Sequence, residues 1–289
     1  MKTVAGDTAA GTYSEYVRYE LGNLAYFVGE IAESDRCFAS IADDRSPIGS
    51  GAQYGLASNA LRQSRFADTL RLIARPPYRS HVEQVRATNM LGRVRLYNAD
   101  FEQASELFDE ALKNAHQINA PLWAARASRH LVLACAWFDP CRALGLIPRA
   151  RELNDALGEM VGLAQCDTAG ALAHALRGEW DCVDDLLDRA RRGFETVGAE
   201  FELLPVPPIE VLLHVARGHA EEALTYTERL IEAARTGRPV APPAWTAVSA
   251  VWVGRPDWFD FNSIDWTEPA SARDRWLAPL TRLRAGAPR

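Results

Sequence analysis

One pattern constrains this chain more than any other. A unit of about 34 to 40 residues recurs along most of its length. The clearest copy reads Met90-Leu91-Gly92, then Ala99-Asp100-Phe101-Glu102-Gln103-Ala104, then Phe108 and Ala111. Small residues and an aromatic return at helical offsets, so each unit builds two antiparallel helices. The first helix of a pair needs a small residue where the two cross, because backbones approach closely only past small side chains. The second needs another small residue, followed about one turn later by a bulky one.

Six copies can be followed. In the first, Leu21-Gly22 opens the crossing, Gly29 ends the first helix, and Ser34, Phe38 and Ile41 carry the second before Pro47. The second copy uses Ala57, Phe66, Thr69 and Ile73 and closes at Pro76-Pro77, while the third closes at Pro121. In the fourth, a helix over Trp123 to Phe138 breaks at Asp139-Pro140, and Ala143, Ile147 and Ala150 keep loose register. The fifth has Gly178-Glu179-Trp180, then Val183, Leu187 and Ala190. The sixth has Gly218-His219-Ala220-Glu221-Glu222-Ala223 and Leu230, with Pro205, Pro207 and Pro208 constraining its entry.

These units resemble the tetratricopeptide repeat over residues 13 to 235. The resemblance implies an all-α fold: a right-handed α-solenoid of about six helical hairpins whose first helices line a concave groove. Long, degenerate repeats of this kind are similar to those of bacterial regulatory and signalling proteins. No Walker loop or helix-turn-helix segment accompanies them here. Some members of the family clamp a peptide's C-terminal carboxylate with Lys, Asn and Arg from successive first helices. By register, Asn23 and Arg86 match that clamp, whereas Tyr19, Gly55 and Met90 depart from it.

The repeat domain is expected over 13–238 and a different segment over 239–289. There the periodicity fades and five tryptophans appear, at 245, 252, 258, 266 and 276. Short helices are expected over 244–253 and 270–284, with irregular chain between them. A solenoid exposes an apolar face at its open end, so the tail is expected to cap the last repeat. The alternative is that Trp252 and Trp258 form a lid over a ligand pocket.

Composition excludes several classes of function. Net charge is −6, Lys stands only at positions 2 and 113, and no basic stripe occurs, so no nucleic-acid partner is expected. No apolar run approaches the ~18 residues needed to span a bilayer, and Met1 to Thr12 lacks a signal-peptide core. A soluble, cytoplasmic protein is expected, with its five cysteines acting as buried apolar groups. Asp184-Asp185-Leu186-Leu187-Asp188 has the spacing of a diphosphate-metal motif, but it flanks an apolar position on a second helix and has no companion motif at Asn154-Asp155. The six histidines have no zinc spacing, and no nucleophile motif occurs. No catalytic residue, metal or cofactor is assigned.

The groove-facing register selects Tyr16, Tyr19, Asn23 and Tyr26, then Tyr54, Ser58 and Arg62, then Arg86, Asn89, Arg93 and Tyr97, and finally Ser128 with Arg129. The candidate binding residues are Tyr19, Asn23, Tyr54, Arg62, Arg86, Asn89, Arg93 and Arg129. Aromatic faces and fixed donors with few acids suit a partner protein, a peptide or an acidic small molecule. The leading expectation is a regulatory or scaffolding interaction module. The alternative is a small-molecule binder or cyclase-like enzyme whose aromatic pocket is closed by the C-terminal segment. Oligomeric state is left open. Far-UV circular dichroism should show a helical protein with almost no strand; strand content near a fifth of residues would reject the repeat reading.

Overall fold

The computed structural model describes residues 2–42, 48–74, 80–197, 206–235, 243–255, 257–258, 264, 266–267 and 269–286. The turn prolines Pro47, Pro76, Pro77 and Pro205 lie outside them. Every regular element among the described residues is helical. Six antiparallel hairpins follow one another: α1 (Lys2–Phe27) with α2 (Ile31–Ala39), α3 (Gly49–Arg62) with α4 (Phe66–Ile73), α5 (His81–Tyr97) with α6 (Phe101–Gln117), α7 (Pro121–Phe138) with α8 (Pro140–Asp155), α9 (Met160–Leu176) with α10 (Val183–Thr196), and α11 (Val206–Arg217) with α12 (Ala220–Arg235). Two further helices complete the chain, α13 (Pro243–Trp252) and α14 (Pro269–Gly286). No described helix is long and apolar enough to cross a membrane.

Each second helix packs on its own first helix and on the next one, and the first helices α1, α3, α5, α7, α9 and α11 also touch in sequence. That arrangement is an α-solenoid with the first helices on its inner face. In hairpins one and three a phenylalanine of the second helix packs closely against a glycine of the first. A Cβ on Gly22 would stand 2.8 Å from Phe38 Cε1, and one on Gly92 would stand 2.6 Å from Phe108 Cε1. Phe38 also presses on the following hairpin, where a Cβ on Gly55 would meet it at 2.5 Å. Sequence spacing suggests that Gly92 faces Ala104. In the structure Gly92 receives Phe108, one turn along α6 from the fully buried Ala104.

Five of the six turns inside the hairpins share one geometry. A left-handed residue follows the first helix, and paired backbone bonds close it, as in Ala99 N to Leu96 O at 3.1 Å and Asp100 N to Arg95 O at 2.9 Å. Gly29, Gly178 and Gly218 fill this position in hairpins one, five and six, whereas hairpins two and three use Ser64 (φ 56°) and Ala99 (φ 60°). Hairpin four ends α7 differently. Asp139 caps α8 by accepting from Arg142 N at 3.0 Å, and Pro140 opens that helix.

The two non-glycine turns lie where the C-terminal segment docks. Sequence reasoning puts that segment on the last repeat, and it does touch α11 and α12. It then runs back along the turn edge of hairpins two, three and four. Ala244 N donates to Ser64 Oγ at 2.9 Å, Thr267 N donates to Asn98 Oδ1 at 2.9 Å, Arg275 pairs with Asp100, and Arg282 donates to the Trp137 carbonyl. Between these ties lies an aromatic cluster centred on Trp137. Phe101 stacks on Trp137 at 5.2 Å and Trp276 meets it edge-on at 5.2 Å, with Trp245 and Trp252 at 6.0 and 6.5 Å. Trp252 Nε1 donates to the Trp276 carbonyl at 3.0 Å, while the indole nitrogens of Trp137, Trp245 and Trp276 have no hydrogen-bond partner. Packing rather than hydrogen bonding therefore holds the cluster. Trp276→Ala should cost about 3–5 kcal/mol, read as a fall in Tm. Gly92→Ala should cost about 1–3 kcal/mol through the clash with Phe108; an unchanged Tm in either variant would contradict the packing described.

Candidate functional site

The inner faces of the first helices enclose a groove of ≈ 530 Å³. Helical spacing places its walls. On α1, Tyr19, Asn23 and Tyr26 stand one turn apart, and Tyr54 with Ser58 does the same on α3. On α5 the wall is Arg86, Asn89 and Arg93; on α7 it is Trp123, Arg126, Arg129 and His130. Glu159 and Met160 close the far side at the start of α9, and Phe27, Leu122 and Val197 leave apolar side chains exposed at the rim.

Seven of the eight candidate residues converge here: Tyr19, Asn23, Tyr54, Arg86, Asn89, Arg93 and Arg129. Arg62 does not. Its guanidinium lies 3.9 Å over the Tyr26 ring and donates to the Tyr26 carbonyl at 3.0 Å, tying α3 to α1. Tyr97 also turns away, onto Phe66 and Trp245. The alternative of a lid finds no support among the described residues, since neither Trp252 nor Trp258 lines the groove. Trp252 is buried in the aromatic cluster and Trp258 sits beside Arg255, at 4.3 Å, because the tail docks on the turn edge rather than across the groove. Trp123, Arg126 and His130 were not selected from the sequence. Their shared face with Arg129 was the available signal.

Among the described residues the groove wall holds more guanidiniums than carboxylates. Arg129, itself buried, pairs with Glu159 at 3.4 Å. Arg86 and Arg126 stand over the Trp123 ring at 5.2 and 5.0 Å, and Tyr54 meets that ring edge-on at 5.4 Å. The buried Nε atoms of both arginines lack a hydrogen-bond partner. Cation–π contact positions these charges without neutralising them.

Asn89 is the most informative residue. It is 1% exposed, and neither Oδ1 nor Nδ2 has a partner. Leaving a buried polar atom unpaired costs about 1–3 kcal/mol. Other buried asparagines are engaged in structure. Asn59 donates to Ser34 Oγ and Asp35 Oδ1 at 3.0 and 2.8 Å, Asn98 donates to the Val94 carbonyl at 2.8 Å, and Asn154 donates to the Ala150 carbonyl at 2.7 Å. Asn89 alone among these four keeps both a donor and an acceptor unused, on a wall that faces a cavity.

Elsewhere the tempting motifs resolve into ordinary pairs. Asp184 pairs with Arg217 at 2.8 Å and Asp188 with Arg191 at 2.6 Å, along a shallow cleft between α10 and α11. No cluster of three His, Cys, Asp or Glu side chains suited to a metal occurs among the described residues. Burial pushes the Cys135 and Cys166 thiols up to about 11 and about 12, so both stay protonated. Cys141, by contrast, is exposed.

Burial holds the His130 imidazole well below its usual 6.5, and the charges of Arg129, Arg93 and Arg126 act in the same direction. His130 is therefore neutral at pH 7. As pH falls through 6.5 the unfolded chain takes up a proton at His130 and the folded protein does not. The stability it contributes is present above that pH and lost below it. His130→Gln should flatten the fall of Tm between about pH 7 and 5 relative to the parent protein. An identical fall in both would show that the imidazole is not shielded.

No family model matches the chain, and no curated protein is similar to it in sequence. Among solved structures, the crystal structure of the apo form of RapI is similar in fold. Its TM-score is 0.56 at 10% identity, covering 94% of this chain and 99% of that one. The likeness lies in the course of the helices along the whole chain.

Proposed function

We propose that this protein is a helical-repeat interaction module that holds an extended acidic peptide, or an extended segment of a partner protein, in its concave groove. The observation that carries this reading is Asn89. A peptide unit offers one N–H and one C=O, and the unpaired Asn89 amide presents the complementary acceptor and donor within the cavity wall. Arg86, Arg93 and Arg126 supply positive charge on either side of it. Tyr19, Tyr26, Tyr54 and Trp123 add flat apolar surface at little entropic cost. Among the described residues no part of the tail covers the groove, which favours an extended ligand over one enclosed in a closed pocket.

The motif residues of hairpins three, five and six support the finer assignment to the tetratricopeptide class. A regulatory or assembly role and a cytoplasmic setting follow from that assignment. The test is selection of a displayed random-peptide library on the intact protein, with Asn89→Ala/Arg93→Ala as the counter-selection. Acidic sequences should be enriched, and the double variant should bind them at least about tenfold more weakly at unchanged Tm. Enrichment only of peptides indifferent to that double substitution would move the site out of the groove.

A further inference from the structure

The charge count of the groove leads to a narrower conclusion, which rests on the reading of the groove as the binding site. Among the described residues Arg86, Arg93, Arg126 and Arg129 line it with Glu20 and Glu159. Arg129 pairs with Glu159, and Arg93 has a partner of its own. The surplus therefore rests on Arg86 and Arg126, two positive charges that both lie against Trp123 and with which no carboxylate among the described residues pairs. His130 adds none, because burial keeps it neutral.

We propose that this pair forms a phosphoryl-binding site, and that the groove's ligand carries a phosphomonoester. A single carboxylate brings one negative charge; a phosphomonoester brings about 1.5 to 2 at neutral pH together with three strong acceptor oxygens. That matches the surplus charge and the planar donor edges of two guanidiniums. The aromatic ring they share matters for a second reason. Carboxylate partners would place the arginines equally well but would have to be displaced or repelled by an incoming anion, whereas a ring holds them and leaves their charge available. Asn89, buried and unpaired one turn from Arg86, reads a neutral amide beside the anion. The combination fits a phosphorylated side chain on a bound peptide.

Isothermal titration with phenyl phosphate and with benzoate compares a dianion and a monoanion on the same ring. Phenyl phosphate should bind at least about tenfold more tightly, and Arg86→Gln and Arg126→Gln should each remove at least about tenfold of its affinity. Arg36→Gln, an exposed residue of α2 paired with Glu33, serves as the control and should change nothing. A phosphotyrosine peptide flanked by glycines then separates the sources. Binding tighter than phenyl phosphate, with the gain lost in Asn89→Ala, identifies a phosphopeptide; equal binding identifies a small phosphoester. Equal affinity for benzoate and phenyl phosphate, or phosphate binding indifferent to both arginine variants at unchanged Tm, would overturn the proposal. Selected unphosphorylated peptides that still depend on Asn89 would in that case leave the peptide reading standing.

Discussion

The stacking of tryptophans around Trp137 is the contact on which the shape of this molecule depends. A solenoid ordinarily has only nearest-neighbour interfaces, so its curvature is the sum of many small, independent angles. Here the side chain at the end of α7 is packed simultaneously by Phe101 from the adjacent hairpin and by Trp245, Trp252 and Trp276 from the tail. Hydrogen bonds at Ser64 and Asn98 and an ion pair at Asp100 extend the same attachment over hairpins two and three. Three consecutive turns are thus fixed to one rigid edge. The angles between α3, α5 and α7 cannot change independently, and those helices carry Tyr54, Asn89 and Trp123 into the groove.

At Arg86 and Arg126, positioning and neutralisation are kept apart. The ion pairs that shape the rest of the surface use carboxylates, as at Arg151–Asp167 and Arg217–Asp184. Arg86 and Arg126 are instead held by aromatic faces. Asn89 follows the same logic with neutral groups: buried by its neighbours, bonded to none of them. Both devices accept an energetic cost in the free protein that a ligand of the right chemistry removes.

Much of the repeat architecture was legible because its determinants are local. Gly22 and Phe38, like Gly92 and Phe108, sit at the same separation along the chain, so the repeat itself is legible, although spacing alone pairs Gly92 with Ala104, one turn away from its true partner. The groove wall followed from helical period alone, which is why seven candidates converge. Arg62 was misassigned because periodicity cannot tell a side chain facing a cavity from one folded back over a neighbouring ring. The tail resisted reading for a different reason. Five tryptophans announce burial, but besides Trp245 and Trp252 the partners of Trp276 are Phe101 and Trp137, far back in the chain, and no local pattern encodes a contact of that separation. The left-handed Ser64 and Ala99, where glycine would be usual, mark the docking line only in retrospect.

That docking has a consequence for how the molecule comes into being. Hairpins can form as they leave the ribosome, since each needs only its own residues and its neighbour's. The edge of hairpins two to four, however, stays uncovered until α13 and α14 have been made. Trp137, Phe66 and Phe101 must therefore wait, exposed, until the segment that carries α13 and α14 is synthesised. A chain halted before the tail would carry an ordered row of helices beside a sticky apolar flank, the kind of surface that chaperones recognise and that neighbouring nascent chains can join. Burial of the middle of the molecule is in this sense a timed event, set by when α13 and α14 arrive to cover it.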